Sequence, residues 1–381
     1  MKEYHFDGTK FYSPDAPPMA TWKRVVRWWF SRRQRGHWPK YWDAPDVFAI
    51  RRRAAAKAGN PALGGTPAQQ NPPAGAAATA AGTTAAAAAA VAAISVATPS
   101  NITWVNHSTF LIETPEGNFL TDPVYSRHAG PLGLLGPRRH HAPGVPFDAL
   151  PPIHFVLLSH DHYDHCDLGT LRKLAHRDSP AAITLLGNGG LLRKAGFSNI
   201  TELDWWGGTT APGTSITVTA TPAQHWSNRV VGPRCGRLWG GFWLELGDGK
   251  KIYFAGDTGY NPRIFQEIRR RLGSPDMALL PIGAYAPRWF MSPQHCDPAQ
   301  AVQIHKDLGA HRSVAMHWGC FRLTDEAHDA PPKELAAVLK KKRIPPDVFR
   351  VLIPGQGVTV EKAAPAKPSP AKANPAKPRQ P

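Results

Sequence analysis

The chain has 381 residues, of which 42% are hydrophobic and 19% charged, a length that suits one domain of about 250 residues or two smaller ones. Its four cysteines exclude a disulfide scaffold, and no apolar run reaches the roughly 20 residues of a membrane-spanning helix. The net charge of +17 lies mainly at the two ends, because residues 1–57 carry +8 and residues 361–381 carry +4, so a basic core for nucleic acid is not indicated.

The amino-terminal segment, residues 1–53, is basic and holds five of the 13 tryptophans between Thr21 and Asp43. It lacks the plan of a secretory signal, so we expect a cytoplasmic protein, with peripheral contact with the inner face of the membrane as an additional feature. In a helix, Trp22, Trp28 and Trp29 would form an apolar stripe suited to an anionic membrane. Two alternatives stay open: packing of these tryptophans onto the main domain, which we favour, and stacking on single-stranded nucleic acid.

Two stretches of the chain have compositions that do not support a packed core. Residues 54–99 are rich in Ala, Gly, Pro and Thr, so we expect a flexible linker or insertion there. Residues 361–381 repeat a Pro-Ala-Lys unit and should form an extended, disordered tail. The remaining region, residues 100–360, is the expected globular domain.

Within that domain, short strands alternate with helices, which is an α/β pattern with mixed sheets. Apolar runs predict strands at Ile102–Val105, Phe110–Glu113, Asn118–Thr121, His154–Leu158, Ser215–Thr219, Ser313–Met316 and Val351–Ile353. Two further strands, Trp243–Leu246 and Lys251–Ala255, flank Gly247-Asp248-Gly249, which predicts a hairpin. Asp297-Pro298 predicts the start of a helix.

Histidine and aspartate residues stand just after four of these predicted strands. His154–Leu158 leads into a dense motif, His160-Asp161-His162-Tyr163-Asp164-His165. The other three strands lead to His225, Asp257 and His317. Open α/β sheets place their sites beyond the carboxyl ends of strands, so we expect these side chains to converge.

The spacing of the motif suits metal ions. His160 and His162, two residues apart, can hold one cation, while Asp164 and His165 can reach a second. Imidazole suits zinc, iron, nickel or copper, and carboxylates shift the preference toward harder ions. Asp257 has two oxygens and can bridge metals about 3.5–4 Å apart. A single histidine at a strand end is commonly a surface residue, but three histidines and two aspartates within six residues favour a metal site.

With these residues, the chain resembles the metallo-β-lactamase fold hydrolases, and among them the N-acyl-phosphatidylethanolamine-hydrolysing phospholipases D and their bacterial relatives. Beyond the metal motif, the resemblance rests on Trp104–Thr109, Thr121–Ser126, Gly136–Arg139, Gln294–Pro298 and His317–Phe321. The family usually has Gly where Asn106 stands. The resemblance implies an α/β (α+β) fold, an αββα sandwich of two mixed sheets flanked by helices, with a dinuclear and usually zinc centre between the sheet edges.

The same resemblance implies roles for individual residues. One metal would be held by His160, His162 and His225, the other by Asp164, His165 and His317, with Asp257 shared between them. A hydroxide bridging two divalent ions would attack a phosphodiester, which makes Asp164 and Asp257 catalytic as well as metal-binding.

Four further residues have an expected role and an alternative. Gln294 and His295 would position the substrate and assist the leaving group, although His295 could instead be a surface residue at a helix start. Asp122 either orients a ligand imidazole or forms the turn before Pro123. His107 is either such a partner or a buried core histidine, and we favour the core.

Three functions therefore compete. The leading hypothesis is a zinc-dependent phosphodiesterase of the phospholipase D type acting on N-acyl-phosphatidylethanolamine-like lipids. A lactonase or nuclease of the same fold is the alternative, because fold does not determine substrate. A non-catalytic metal-binding or lipid-binding scaffold is disfavoured because all seven expected ligands are present.

Overall fold

The computed structural model describes residues 5–13, 22–31, 35–41 and 99–363. Nearly all of the predicted linker 54–99, and the part of the predicted tail beyond residue 363, lie outside the described residues. The boundaries assigned to these segments therefore stay predictions.

The domain is built on two seven-stranded sheets. The first sheet contains β1 (Asn101–Asn106), β2 (Thr109–Thr114), β3 (Gly117–Thr121), β4 (Phe155–Leu158), β5 (Ala181–Leu185), β6 (Ile200–Leu203) and β14 (Gly357–Thr359). Its strand order is β14-β1-β2-β3-β4-β5-β6. The pairs at the β14–β3 side are antiparallel and those from β3 to β6 are parallel, so the sheet is mixed.

The second sheet has the same design. It contains β7 (Gly208–Thr210), β8 (Thr217–Thr221), β9 (Gly241–Glu245), β10 (Lys251–Phe254), β11 (Met277–Pro281), β12 (Arg312–Met316) and β13 (Phe349–Arg350). The order is β13-β12-β11-β10-β9-β8-β7. Strands β7 to β10 pair antiparallel and β10 to β13 pair parallel.

Seven described helices accompany the sheets: α1 (Trp22–Ser31), α2 (Leu168–Asp178), α3 (Gly189–Lys194), α4 (Pro262–Leu272), α5 (Arg288–Met291), α6 (Pro298–Leu308) and α7 (Ala330–Lys342). The alternation along β4 shows how the layers form. Phe155 and Leu157 point into the core between the sheets, whereas Val156 and Leu158 pack with Leu171 of α2 on the outer face. Buried residues of α4 and α6 join the main core from the second sheet. The predicted αββα architecture is confirmed.

The structure corrects two predicted strands. Val351–Ile353 is not a strand, because the chain turns back there: Gln356 N–H donates to the Ile353 carbonyl at 2.9 Å. The edge strand is β13, two residues earlier. The strand predicted at Ser215–Thr219 begins at Thr217, because the Ser215 N–H donates to the Glu116 carboxylate at 2.5 Å instead of joining the ladder. The hairpin at 247–249 and the start of α6, with a capping box at Asp297, are confirmed.

The amino-terminal residues that are described pack on the domain. The Trp28 indole stacks on Phe290 with ring centroids 5.0 Å apart, and its Nε1–H donates to Asp325 at 2.9 Å. Trp38 Nε1–H donates to the Glu326 carbonyl at 2.7 Å. The favoured interpretation of these two tryptophans, a cover on the domain, is confirmed. No helix in the described ranges is long and apolar enough to cross a membrane.

Candidate metal centre

The predicted site residues meet at one end of the sandwich, where strands of both sheets end. The turn after β4 carries the His160–His165 motif, and the residues after β8, β10 and β12 supply the other three. Six histidine and carboxylate groups there are almost fully buried, which is unusual for residues of this type. They are His160, His165, His225, Asp257, His295 and His317. Together with neighbouring residues they form four overlapping groups of possible metal ligands among the described residues. Two of these groups contain the ligand sets expected from the sequence and are called the first and second clusters.

The first cluster consists of His160, His162 and His225. His162 Nδ1 lies 2.9 Å from His160 Nε2 and 3.1 Å from His225 Nε2. For His225 and His160, the hydrogen bond of Nδ1, the ring nitrogen that faces away from the cluster, shows which nitrogen carries the proton. His225 Nδ1–H donates to the Gln294 carbonyl at 2.9 Å, so its Nε2 presents a lone pair to the cluster.

His160 reaches the same state by a different route. Its Nδ1 lies 2.9 Å from Ser159 Oγ, whose own proton goes to the Asp122 carboxylate at 2.6 Å, so His160 Nδ1 is the donor. His160 Nε2 and His225 Nε2 therefore both direct lone pairs at His162 Nδ1. That nitrogen carries at most one proton. At least one lone pair is left unmatched, and a cation at the centre of the three rings would satisfy all of them.

The second cluster consists of Asp164, His165 and His317. Asp164 Oδ2 lies 3.6 Å from His165 Nε2 and 3.4 Å from His317 Nε2. Both of these ring nitrogens are buried, and within the described part of the chain neither makes a hydrogen bond of good geometry, although Asp257 Oδ2 lies within 3.2 Å of each. Because buried polar atoms are normally paired, the cluster is incomplete without a further group.

Asp257 lies between the two clusters. Its Oδ2 is 3.2 Å from His165 Nε2 and 3.0 Å from His317 Nε2 on one side. On the other side, the distances are 4.0 Å to His160 Nε2 and 3.7 Å to His225 Nε2. Its second oxygen, Oδ1, is buried and has no partner among the described residues. This one carboxylate thus faces ring nitrogens of both clusters.

Asp122 orients histidines of both clusters from behind. Its Oδ2 accepts from His165 Nδ1 at 2.6 Å and from Ser159 Oγ, which in turn contacts His160. The residue follows β3 directly and has a φ of 35°, a backbone conformation uncommon for a side chain other than Gly or Asn. Both sequence interpretations of Asp122 therefore apply, since it forms the turn and also holds the imidazoles.

The pKa values of the histidines differ between the two clusters. Burial lowers the pKa of His162 to about 4 and that of His225 to about 3, so the first cluster offers neutral rings. Burial opposes a charge on His317 as well, but the carboxylates of Asp257 and Asp164 outweigh it and raise its pKa to about 9. The pKa of Asp257 lies well below its usual range, because His165 and His317 outweigh its burial. The two carboxylates at the second cluster thus favour positive charge on His165 and His317, and a cation held there would take the place of the ring protons.

The residues present therefore fit divalent cations. Three imidazoles in the first cluster are a zinc-type donor set, and the mixed carboxylate and imidazole set of the second tolerates harder ions too. The neighbouring Cys166 belongs to none of the candidate ligand groups in the described part of the chain, and burial raises the pKa of its thiol to about 12.

Comparison with known proteins agrees with this geometry. The family model described as Beta-lactamase superfamily domain matches residues 117–318, more than half of the chain. The chain belongs to the β-lactamase superfamily. It is a metal-dependent hydrolase of this fold, and its buried His/Asp clusters are candidate metal-binding groups.

Two curated relatives and one solved structure show how far the similarity extends. N-acyl-phosphatidylethanolamine-hydrolyzing phospholipase D 1 of Caenorhabditis elegans is 33% identical over 240 residues, 61% of this chain and 67% of that protein. An uncharacterized protein of Mycobacterium tuberculosis is 37% identical over 262 residues, 68% of each chain. The structure of a metallo hydrolase from Ignicoccus hospitalis, at 24% identity and a TM-score of 0.51, covers 70% of this chain and 100% of that one, which supports the fold.

The pair Gln294 and His295 also lies at the site of this superfamily member. His295 Nδ1 is 3.8 Å from Asp257 Oδ2, and the ring is buried, so the surface alternative for His295 is wrong. Gln294 contacts the first cluster through its backbone carbonyl, which accepts from His225 Nδ1. Its side chain makes no hydrogen bond to a cluster residue among the contacts that the structure describes.

His107 has a closer relation to the site than the favoured interpretation of the sequence gives it. It is buried, as the favoured core interpretation requires, but its Nε2 also contacts Asp164 Oδ2 at 3.0 Å. Its position in the sequence indicates this role, because His107 directly follows β1 just as His317 directly follows β12. Asn106, where the family usually has Gly, donates from Nδ2 to the Val124 carbonyl at 3.1 Å.

Proposed function

We propose that this protein is a phosphodiesterase of the phospholipase D type that acts on N-acyl-phosphatidylethanolamine-like lipids with two divalent ions, most simply zinc. The observation that carries the proposal is the position of Asp257 between the two histidine clusters, with its Oδ2 within 4.0 Å of four ring nitrogens. The substrate class is taken from the similarity to the phospholipase of Caenorhabditis elegans.

The seven residues expected from the sequence would hold the ions. His160, His162 and His225 would hold one, Asp164, His165 and His317 the other, and Asp257 would contact both. Such ions supply a nucleophile from water at neutral pH and polarise a phosphoryl oxygen. The protein's own contribution is to fix these ligands, which it does through Asp122, Ser159 and the Gln294 carbonyl.

His295 is the best-placed residue for the substrate. Burial lowers its pKa to about 3, so the ring is neutral and carries one N–H at neutral pH. Its Nδ1 is buried without a hydrogen-bond partner in the described structure. The ring can therefore give a hydrogen bond to an oxygen of the phosphodiester or its leaving group, with Gln294 beside it.

Hydrolysis of a lactone or of a nucleic acid remains the alternative for the same site, because the metal centre alone does not choose the ester. A substrate panel separates these functions. Protein loaded with zinc would be assayed on bis-p-nitrophenyl phosphate, on N-acyl-phosphatidylethanolamine, on a homoserine lactone and on single-stranded RNA. We expect turnover of the two phosphodiesters that are not nucleic acids. Turnover of only the lactone, or of only the RNA, would contradict the proposal.

Two variants make the panel specific for the site. His162→Ala removes a ring from the first cluster and should abolish turnover. His176→Ala removes an exposed histidine of α2 and should leave turnover unchanged. Equal activity of these two variants would show that the turnover comes from a contaminant or another site.

A lipid substrate requires access to a bilayer, so the proposal includes peripheral contact with an anionic membrane. Trp28 and Trp38 cannot be the main contact, because both indoles are engaged with the domain. We therefore assign the contact to another part of the described surface.

A further inference from the structure

Two loops next to the metal centre expose large aliphatic side chains. In the loop of residues 127–139, Leu132, Leu134 and Leu135 are between 63% and 90% exposed. In the loop of residues 227–235, Val230 and Val231 are 76% and 78% exposed. No other large aliphatic side chain is exposed to this degree in the described ranges. Single exposed apolar residues are ordinary, but two groups of them at loop tips indicate a contact surface.

Both loops are closed at their bases, so the tips project from ordered structure. In the first loop, Ala129 N–H donates to the Pro137 carbonyl at 2.9 Å, and Arg139 N–H donates to the Arg127 carbonyl at 2.8 Å. In the second, Cys235 N–H donates to the Ser227 carbonyl at 2.7 Å. The aliphatic side chains are therefore held away from the domain instead of folding back onto it.

Both loops are anchored on the turn that carries the metal ligands. The first is held by Ser126, whose N–H donates to the Asp167 carboxylate at 2.9 Å. The second is held by Val230 N–H, which donates to Tyr163 Oη at 3.2 Å, and by Arg229, which donates to the Cys166 carbonyl at 2.9 Å. These anchor points lie within residues 163–167, so the two tips stand beside the metal-binding turn.

The charged residues of the two loops are all arginines, so both loops are basic. Arg127 and Arg138 are exposed in the first loop, and Arg234 is exposed in the second. No acidic residue occurs in 123–147 or in 226–244. Exposed aliphatic groups among arginines, without carboxylates, complement an anionic lipid surface.

We infer that the two loop tips, which we call the rim (Leu132, Leu134, Leu135, Val230 and Val231), dock this protein on an anionic bilayer. The aliphatic side chains enter the boundary between headgroups and acyl chains, and the flanking arginines contact lipid phosphates. Docking in this way places the metal-binding turn near the depth of phosphodiester headgroups. This inference rests on the proposed function, because a lipid substrate is the reason for the enzyme to dock on a bilayer. The docking itself does not require turnover.

Co-sedimentation with vesicles tests the rim directly. Full-length protein would be mixed with vesicles of phosphatidylcholine and phosphatidylglycerol, and with vesicles of phosphatidylcholine alone. We expect wild-type binding to the anionic vesicles that weakens with salt. Leu134→Ser combined with Leu135→Ser should lower the binding constant about tenfold or more. Leu134→Ile combined with Leu135→Ile keeps the apolar surface and should bind like wild type.

A matched pair of charge variants tests the arginines. Arg127→Glu with Arg138→Glu should reduce binding strongly. Lys341→Glu with Lys342→Glu changes the net charge equally on exposed positions at the end of α7 and should have a small effect. Equal loss from both pairs would mean that net charge, not the rim, drives the binding, and would overturn the inference.

Three other results would also overturn it. Wild type and the double-serine variant could sediment equally, or neither could sediment. Alternatively, analytical ultracentrifugation could show a dimer that the double-serine variant breaks, which would assign the rim to a second copy of the chain. Hydrolysis of bis-p-nitrophenyl phosphate, measured on the same samples, distinguishes the proposed function from the proposed docking. Loss of the metal centre should abolish this hydrolysis, whereas loss of docking through the rim should not change it.

Discussion

His107 Nε2 lies 3.0 Å from Asp164 Oδ2, although 57 residues separate them in the chain. The ring of His107 also packs against the His317 ring at a centroid distance of 4.0 Å, and its backbone carbonyl accepts from His317 N–H at 2.9 Å. One residue after β1 thus contacts two members of the second cluster. Its geometry makes it a positioning residue that keeps Asp164 facing His165 and His317.

His107→Ala should therefore weaken metal binding at the second cluster more than at the first. Loss of an outer partner of a metal ligand commonly costs about 10–100-fold in metal affinity. Zinc titration against a competing chelator would measure the two affinities separately. His107→Gln, whose Nε2 can replace the ring nitrogen, should recover part of the loss. Two unchanged affinities in the alanine variant would refute the positioning role.

Asp122 should behave differently, because it supports both clusters. Asp122→Asn replaces an acceptor that His165 Nδ1–H and Ser159 both use, so the affinities of both clusters should fall. Ser159→Ala breaks only the path to His160 and should affect mainly the first cluster. The same zinc titration distinguishes them. An Asp122→Asn variant that loses affinity at one cluster alone would contradict the shared role.

Trp28 should contribute to folding stability and little to membrane binding. Trp28→Ala removes the stacking on Phe290 and the hydrogen bond to Asp325, which should lower the free energy of unfolding by about 2 kcal/mol. Lys23→Ala, on an exposed position of the same helix, should cost little. Thermal unfolding measures both, and vesicle binding should match wild type. A normal melting temperature with lost vesicle binding would return the membrane role to α1.

His305 should make the stability depend on pH. Burial, followed by the nearby Lys306 and His311, lowers the pKa of this α6 residue from 6.5 to about 4, and its Nδ1 lies 2.8 Å from Ser313 Oγ. The unfolded chain binds a proton at higher pH than the folded one, so the free energy of unfolding should fall as pH drops from 6.5 toward 4. His305→Asn should flatten this part of the curve, measured by urea unfolding. An unchanged slope would show that His305 does not titrate in this way.

Much of the metal centre could be predicted from the sequence because its residues follow strands directly. The rule that strand ends meet at one edge of a sheet accounts for the convergence of His225, Asp257 and His317 on the second sheet. His160 follows a strand of the first sheet and joins them because the two sheets pack face to face. The roles of His107 and Ser159 could not be predicted in this way. Their partners are set by the order of β1, β3 and β4 in the first sheet and by its packing against the second sheet, which local patterns do not specify.

The fold shows the same division. Strands with a clear apolar run, such as Thr109–Thr114, are predicted to within a residue or two. In contrast, β13 and β14 contain only two and three residues, and they form because neighbouring strands pair with them. Apolar residues in loops gave no signal at all. The segment around Leu132–Leu135 has a composition that would suit a core, and only the tertiary structure shows that it projects into solvent.

The central claim is that the two clusters hold two ions through one shared carboxylate. Its most direct test is elemental analysis of zinc-saturated protein after removal of free metal, for wild type and for Asp257→Ala. We predict two zinc ions per chain in wild type and loss of both in the variant, because Asp257 faces ring nitrogens of both clusters. Two ions retained by Asp257→Ala would contradict the bridging role, and fewer than two in wild type would contradict the dinuclear centre itself.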